Sequence, residues 1–184
     1  MQDLAQHSAA STRAVEARSL VVRTLALHLL DLRVRLAELE AAIATIVKED
    51  DDAQRLQEIP GIGPQNAATI RAELGDVSRF SSVDQVIAYA GLEPRTHESG
   101  RLAGQKRLSK RGPGALRHAL YLAALVEARY RPEWRGRYQR LLHRGRAKKE
   151  ALMILSRSLL KVIYHLLQTG ASYDPAGVFP SERA

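Results

Sequence analysis

Cysteine is absent from the 184 residues. That excludes disulfides, thiolate zinc sites and a cysteine nucleophile, and it fits a reducing, cytoplasmic setting. Aromatic residues are scarce at 5% against 45% hydrophobic residues overall, so any core must be built of Leu, Ala, Val and Ile, a mixture that favours helices. No uninterrupted apolar run is long enough to cross a bilayer, and the first residues, MQDLAQHSAASTRAVEARS, lack the apolar stretch of a signal peptide, so no membrane partner is expected. Glycine and proline are missing from Ala14 to Lys48, which leaves nothing to interrupt a long helix there. Acidic residues are nearly missing further on. Between Arg95 and Glu150 there are 16 Lys or Arg and only 4 acids, an excess larger than the net charge of +8 for the whole chain. The basicity is therefore local, and most of it is arginine, which suits bidentate contact with phosphate. A merely solvated helix face would mix the two signs. A polyanionic partner, DNA above all, is the expectation from charge alone, with affinity that carries no sequence readout.

Within the breaker-free segment, Val22, Leu25, Leu29, Leu32, Leu36, Leu39, Ile43 and Ile46 recur at alternating steps of three and four. This is the seam of a coiled coil, and it predicts a homo-oligomer joined through that helix. A long helix packing on its own domain would show the same residues less strictly spaced. The run Glu49-Asp50-Asp51-Asp52 reads as a solvated acidic hinge and not as a metal site, because consecutive residues at a helix end point in different directions and no histidine or further acid is spaced to join them. No metal ligand is assigned anywhere in the chain.

After the hinge, LQEIPGIGPQNAATIRAELG (residues 56–75) predicts a helix, a tight turn at Gly61-Ile62-Gly63 and a second helix, with Ala67, Ala68, Ile70 and Leu74 at helical spacing. Gly61 and Gly63 would let backbone amides approach an anion at a helix N-terminus. The segment resembles a helix-hairpin-helix, which binds the DNA backbone without sequence preference. The same pattern also serves as a hairpin used only for packing, and no Lys or Arg lies between Gly61 and Ile70. Ser81-Ser82-Val83-Asp84 reads as a helix cap and Gly91 as the stop. Residues 92–112 carry no helical apolar face and read as a loop, with room for a short hairpin. Helices return after Gly114, after Pro132 and from Ala147 to Thr169. Tyr173-Asp174-Pro175 then starts an unstructured tail. The fold class is all-α: residues 1–52 form a tail and coiled-coil helix, 53–175 a compact helical domain, and 176–184 a final tail.

The basic loop holds Ser99 among cations. Arg95, Arg101, Lys106, Arg107, Lys110 and Arg111 surround it, Gly100 follows it, and Arg117, Lys148 and Lys149 add charge further on. These cations and the two hairpin glycines are the candidate nucleic-acid contacts. Ser99 by itself is no triad. His97 would share its face in an extended segment, so base activation is conceivable, while an ordinary turn serine before glycine explains the residue equally simply.

Four stretches in order, IPGIGPQNAATIRAELGD, FSSVDQVIAYAGLEPRTHESG, SKRGPGALRHALYLAAL and LLQTGASYDP, resemble the C-terminal domain of the bacterial insertion-sequence transposases that pair a RuvC-like DEDD domain with a serine-bearing domain, the bridge-RNA-guided recombinases. The resemblance covers residues 56–175. It implies that Ser99, in Glu98-Ser99-Gly100, is the nucleophile of DNA strand cleavage and exchange, and that the flanking cations hold strand or guide phosphates. It further implies a structured guide RNA as a partner and a site shared between subunits. Divalent metal, Mg, would belong to the RuvC-like domain, which is not in this sequence; no cofactor is expected on these residues. The enzymatic status of the chain alone is accordingly open, and the alternative is a non-catalytic nucleic-acid-binding remnant or a regulator of a full-length transposase. One departure concerns the loop's end: in RGPGALR, Pro113 stands where the family usually has an asparagine, so a capping side chain is lost.

Overall fold

The computed structural model describes residues 12–96, 106–109 and 111–175. Among the described residues the regular structure is helical apart from one short two-stranded hairpin, and the chain divides into two units, Met1–Ala42 and Ile43–Ala184. The second unit begins before residue 53, because Val47 in the last turns of the first helix already belongs to the core.

The long helix α1 spans Thr12–Glu49, as the absence of breakers predicts. Every large apolar side chain on it from Val15 to Leu39 is exposed, each by more than half. Of the seam residues, Ile46 is exposed as well, while Ile43 packs against the core of the second unit.

Helix α2 (Asp51–Gln57) begins where Asp50 leaves the helical conformation, and its Oδ1 accepts the amides of Asp52 and Ala53 at 2.9 and 3.2 Å. The acidic run is therefore a solvated hinge only in part. Glu49 and Asp51 are exposed, while Asp50 and Asp52 are partly buried and meet Arg71 at 3.2 and 3.3 Å, Asp52 also meeting Arg55 at 2.9 Å. The acids cap one helix and tie it to the next. Helix α3 (Pro64–Leu74) starts at an N-cap glycine with proline in the first turn and buries Ala67, Ile70 and Leu74. Helix α4 (Val83–Tyr89) is capped by Ser82, which accepts the Gln85 amide, while the Gln85 side chain accepts the Ser81 amide.

Strands β1 (Pro94–Thr96) and β2 (Lys106–Leu108) pair antiparallel. Helices α5 (Gly114–Tyr130), α6 (Pro132–His143) and α7 (Lys148–Thr169) complete the unit. Its core lies where Leu116, Leu120, Ala123 and Ala124 of α5 meet Leu155, Leu159, Leu160 and Ile163 of α7, with the α3 residues and Trp134 of α6 closing the sides. The alanines on α5 let its neighbours come close, which is how a core with few aromatics can still pack densely. Tyr173 does not start a free tail: its amide donates to Glu58 Oε2 at 2.6 Å and its ring lies half-buried at the core's edge, against Trp134. Among the described residues no helix is long and apolar enough to cross a membrane.

Candidate nucleic-acid interface

The basic loop is held at its neck. Gly91 has φ +68°, and an added Cβ there would lie 2.9 Å from the Arg111 carbonyl oxygen. Gly112, at the other end, has φ +145°, and a Cβ on it would lie 2.0 Å from the Tyr89 carbonyl oxygen. The two chain ends touch backbone to backbone, and only glycine permits it. Arg117, on the first turn of α5, fastens the contact: its Nη1 donates to Ala90 O at 3.1 Å and to Gly112 O at 2.9 Å. The residue was read from the sequence as a phosphate ligand, but its Nη1 is engaged in closing the loop's neck. Pro113 occupies the N-cap position with no side-chain cap bond, so the start of α5 relies on this clip instead of on an asparagine.

Beyond the neck the hairpin brings cationic positions together. Arg95 is the register partner of Arg107 and Thr96 that of Lys106, and Ser109 extends the ladder by donating to Glu93 O at 3.0 Å. Ser99, Arg101 and Lys110 lie outside the described residues. Arg111 is exposed beside the neck, and Lys148 and Lys149 are exposed in the first turn of α7. Arg129, Arg131, Arg135 and Arg144 add further exposed cations around the ends of α5 and α6, the Arg135 guanidinium donating to Arg129 O at 3.1 Å.

The two hairpin glycines part company. Gly63 is exposed at the N-cap of α3, with nothing within 4 Å of a Cβ added to it, so a ligand can reach this helix end. Gly61 faces inward. Its amide donates to Glu127 Oε1 at 3.1 Å, and a Cβ there would lie 2.6 Å from Ala123 O, so it is a packing glycine on α5 whose amide is already taken.

Sequence reading missed Glu127. A single acid on an apolar helix resembles a surface residue, yet this one is fully buried and its Oε2 has no hydrogen-bond partner. Burial pushes its carboxyl above the ordinary range; the Gly61 amide and Arg131 oppose this, and Glu133 adds to it. Burial likewise raises the Tyr173 hydroxyl, against the Trp134 hydrogen bond. Since the folded value of Glu127 is raised, the folded state holds a proton that the unfolded chain releases. Its contribution to stability is fully present below the ordinary glutamate value of 4.5 and is lost as pH rises through the folded value. Glu127→Gln keeps an acceptor for Gly61, so urea unfolding should show a flatter dependence on pH above that point. Glu127→Ala strands the buried amide and should cost about 1–3 kcal/mol at any pH. An unchanged pH dependence in the glutamine variant would remove Glu127 as its source.

The sequence of these elements matches known proteins. Residues 53–139 match the model of the Transposase IS116/IS110/IS902 family. The chain is 32% identical over 173 residues to the insertion element IS900 uncharacterized 42 kDa protein of Mycobacterium paratuberculosis, covering 94% of this chain and 43% of that one. It is 35% identical over 162 residues to a probable family 20 transposase of Pseudomonas aeruginosa, covering 84% and 47% respectively. With the pilin gene-inverting protein of Moraxella bovis it shares 32% identity over 125 residues, 66% of this chain and 38% of the relative. The chain thus spans less than half the length of these relatives. The matched segment runs from α2 through the hairpin, the basic loop and its neck to α6, and it is a transposase domain of the IS116/IS110/IS902 family.

Proposed function

We propose that this chain is the DNA-binding, serine-bearing part of an insertion-sequence transposase, acting in strand cleavage and exchange with Ser99 as nucleophile. The observation that carries the reading is the clipped neck: a family domain in which Gly91, Gly112 and Arg117 close the base of a strongly basic loop, with Ser99 in its span. A loop fixed at its base presents its tip from a rigid support, which is what positioning a nucleophile requires. In the reaction the Ser99 Oγ forms a bond to a DNA phosphorus and loses its proton. One phosphorus–oxygen bond of the backbone breaks, and the departing deoxyribose oxygen takes up a proton. The cations of the loop offset charge that builds on the non-bridging oxygens.

Arg95, Arg101, Lys106, Arg107, Lys110, Arg111, Lys148 and Lys149 are the proposed phosphate contacts, with the open N-terminus of α3 at Gly63 as a further one. The same surface suits a structured guide RNA, the second polyanion the family resemblance implies. The α1 seam joins copies of the chain, and the setting is the cytoplasm. Among the described residues no group of three or more His, Cys, Asp or Glu could hold a metal ion. A second reading is a binding module that grips DNA or regulates a longer transposase without cleaving, and the local excess of cations supports it as well.

Both readings demand backbone binding, and it is tested by titrating duplex DNA at several salt concentrations. The logarithm of the binding constant should fall with the logarithm of salt with a slope of about −5 or steeper, near −0.9 for each phosphate neutralised. Replacing Lys148 and Lys149 together by alanine should make the slope shallower by about 2. Binding that ignores salt would refute the assignment of the basic face.

A further inference from the structure

Arg79 lies before the basic span that begins at Arg95, so the local charge excess does not include it. It ends the short 3₁₀ turn Val77–Arg79 between α3 and α4, and it is exposed. Its guanidinium carbon sits 4.5 Å from the centre of the Phe80 ring and 4.8 Å from that of Tyr89, within reach of both π faces. The two ring centres are 5.3 Å apart. Both residues are pinned. The Tyr89 hydroxyl donates to Glu73 O in the last turn of α3, and the Tyr164 hydroxyl of α7 donates to Phe80 O, each at 3.0 Å. Both rings also pack against the core. An arginine set on two fixed rings keeps less freedom than an ordinary surface arginine, so less is lost when it binds.

What the guanidinium lacks is an acceptor. Among the described residues no carbonyl, hydroxyl or carboxylate receives its N–H groups. Asp76 feels the Arg79 charge but is turned to Ser78: its Oδ1 accepts the Ser78 amide at 2.8 Å and its Oδ2 the hydroxyl at 2.7 Å. Ring faces hold the cation in place and supply no oxygen, so the N–H fork stays open to an oxyanion.

Tyr89 says which oxyanion. Its ring carries Arg79, and its carbonyl oxygen is the atom against which Gly112 closes the loop's neck. One residue thus joins this arginine to the base of the basic loop, where Arg111 is exposed. A DNA strand carries a charge about every 3.4 Å of helix axis, so a duplex held by the loop brings further phosphates past the neck.

We infer that Arg79 is a further contact to the DNA backbone, a bidentate phosphate ligand with Phe80 and Tyr89 as its positioning residues. The inference rests on the backbone-binding reading above and adds a contact outside the loop and the helices that follow it.

The test is titration of duplex DNA with the whole chain at several salt concentrations, with circular dichroism to confirm that each variant stays folded. Arg79→Ala should make the salt slope shallower by about 1, the share of one phosphate. Arg79→Lys keeps the charge but not the fork, so it should keep the slope and bind about threefold or more weakly. Phe80→Leu keeps an apolar side chain and removes one ring. It should weaken binding about threefold when Arg79 is present and have no effect in the Arg79→Ala background. A steep wild-type slope that Arg79→Ala leaves unchanged overturns this contact and keeps the basic-face reading intact. A wild type whose binding ignores salt overturns both. Arg79→Lys binding as tightly as wild type overturns the bidentate contact and the inference with it. Equal losses from Phe80→Leu in the two backgrounds overturn positioning by the rings.

Discussion

Gly112→Ala should destabilise the second unit by more than about 3 kcal/mol, seen as a large drop in the urea midpoint with little change in its slope. The new methyl carbon would sit 2.0 Å from the Tyr89 carbonyl oxygen, 3.1 Å from the Tyr89 carbonyl carbon and 3.3 Å from that of Ala90. All three are backbone atoms at the end of α4. A flexible side chain could swing away, but these atoms can yield only if the helix end or the loop's neck moves. The φ of +145° adds a conformational cost to any residue with a Cβ. Moving the neck also disturbs the Arg117 clip, so phosphate binding by the loop should weaken in the same variant. Gly63→Ala is the control, because its φ of −84° is ordinary and its Cβ would meet open space. It should change stability by no more than about 1 kcal/mol. Equal effects of the two substitutions would mean that the neck contact is not what constrains Gly112.

Ser99→Ala should abolish strand exchange, on the order of 10³-fold or more, in the assembled recombinase that contains this chain, while duplex binding is unchanged. Loss of the Oγ removes the atom that would bond to phosphorus. Phosphate binding depends on the surrounding cations, whose charge is unaltered. The decisive readout is a covalent protein–DNA adduct, trapped with end-labelled substrate and mapped to the loop. Wild-type chain should give the adduct and the alanine variant should not. Lost exchange together with lost binding would make Ser99 a contact residue. An adduct that persists in the variant would place the nucleophile elsewhere. No adduct in the wild type, with salt-dependent binding retained, would favour the binding or regulatory reading.

The neck and the serine differ in how each could be recognised. Ser99 stands out in the linear sequence through its company of cations and through Glu98-Ser99-Gly100, which resembles a family motif. Gly91 reads as a helix stop and Gly112 as one more loop glycine, and nothing local says that the two ends touch. Arg117 counts as a cation until its partners are known, because the carbonyls it binds lie five and twenty-seven residues away. Gly61 is the sharper lesson. Glycine's freedom to let a backbone approach something is visible in sequence, but the partner is not. Here it is the Ala123 carbonyl of a helix sixty residues on, with the Glu127 carboxylate taking the amide.

The sequence by itself determined the helices and their limits. Apolar spacing, the Ser82 cap, the prolines at helix starts and the glycine at position 170 act within one or two turns of the chain, and each marks a boundary that the structure keeps; the Asp50 cap, read from sequence as part of a hinge, does the same. It also determined where the positive charge lies, since charge is additive along the chain. Only the tertiary structure decided which residues are taken up by contacts within the protein. The burial of Glu127, the clip of Arg117, the docking of Tyr173 on Glu58 and the contact of Gly112 with Tyr89 all join segments that are distant in sequence. Their free energy exists only once the helices have packed, because a buried hydrogen bond or a backbone contact of this kind has no counterpart in the separate helices.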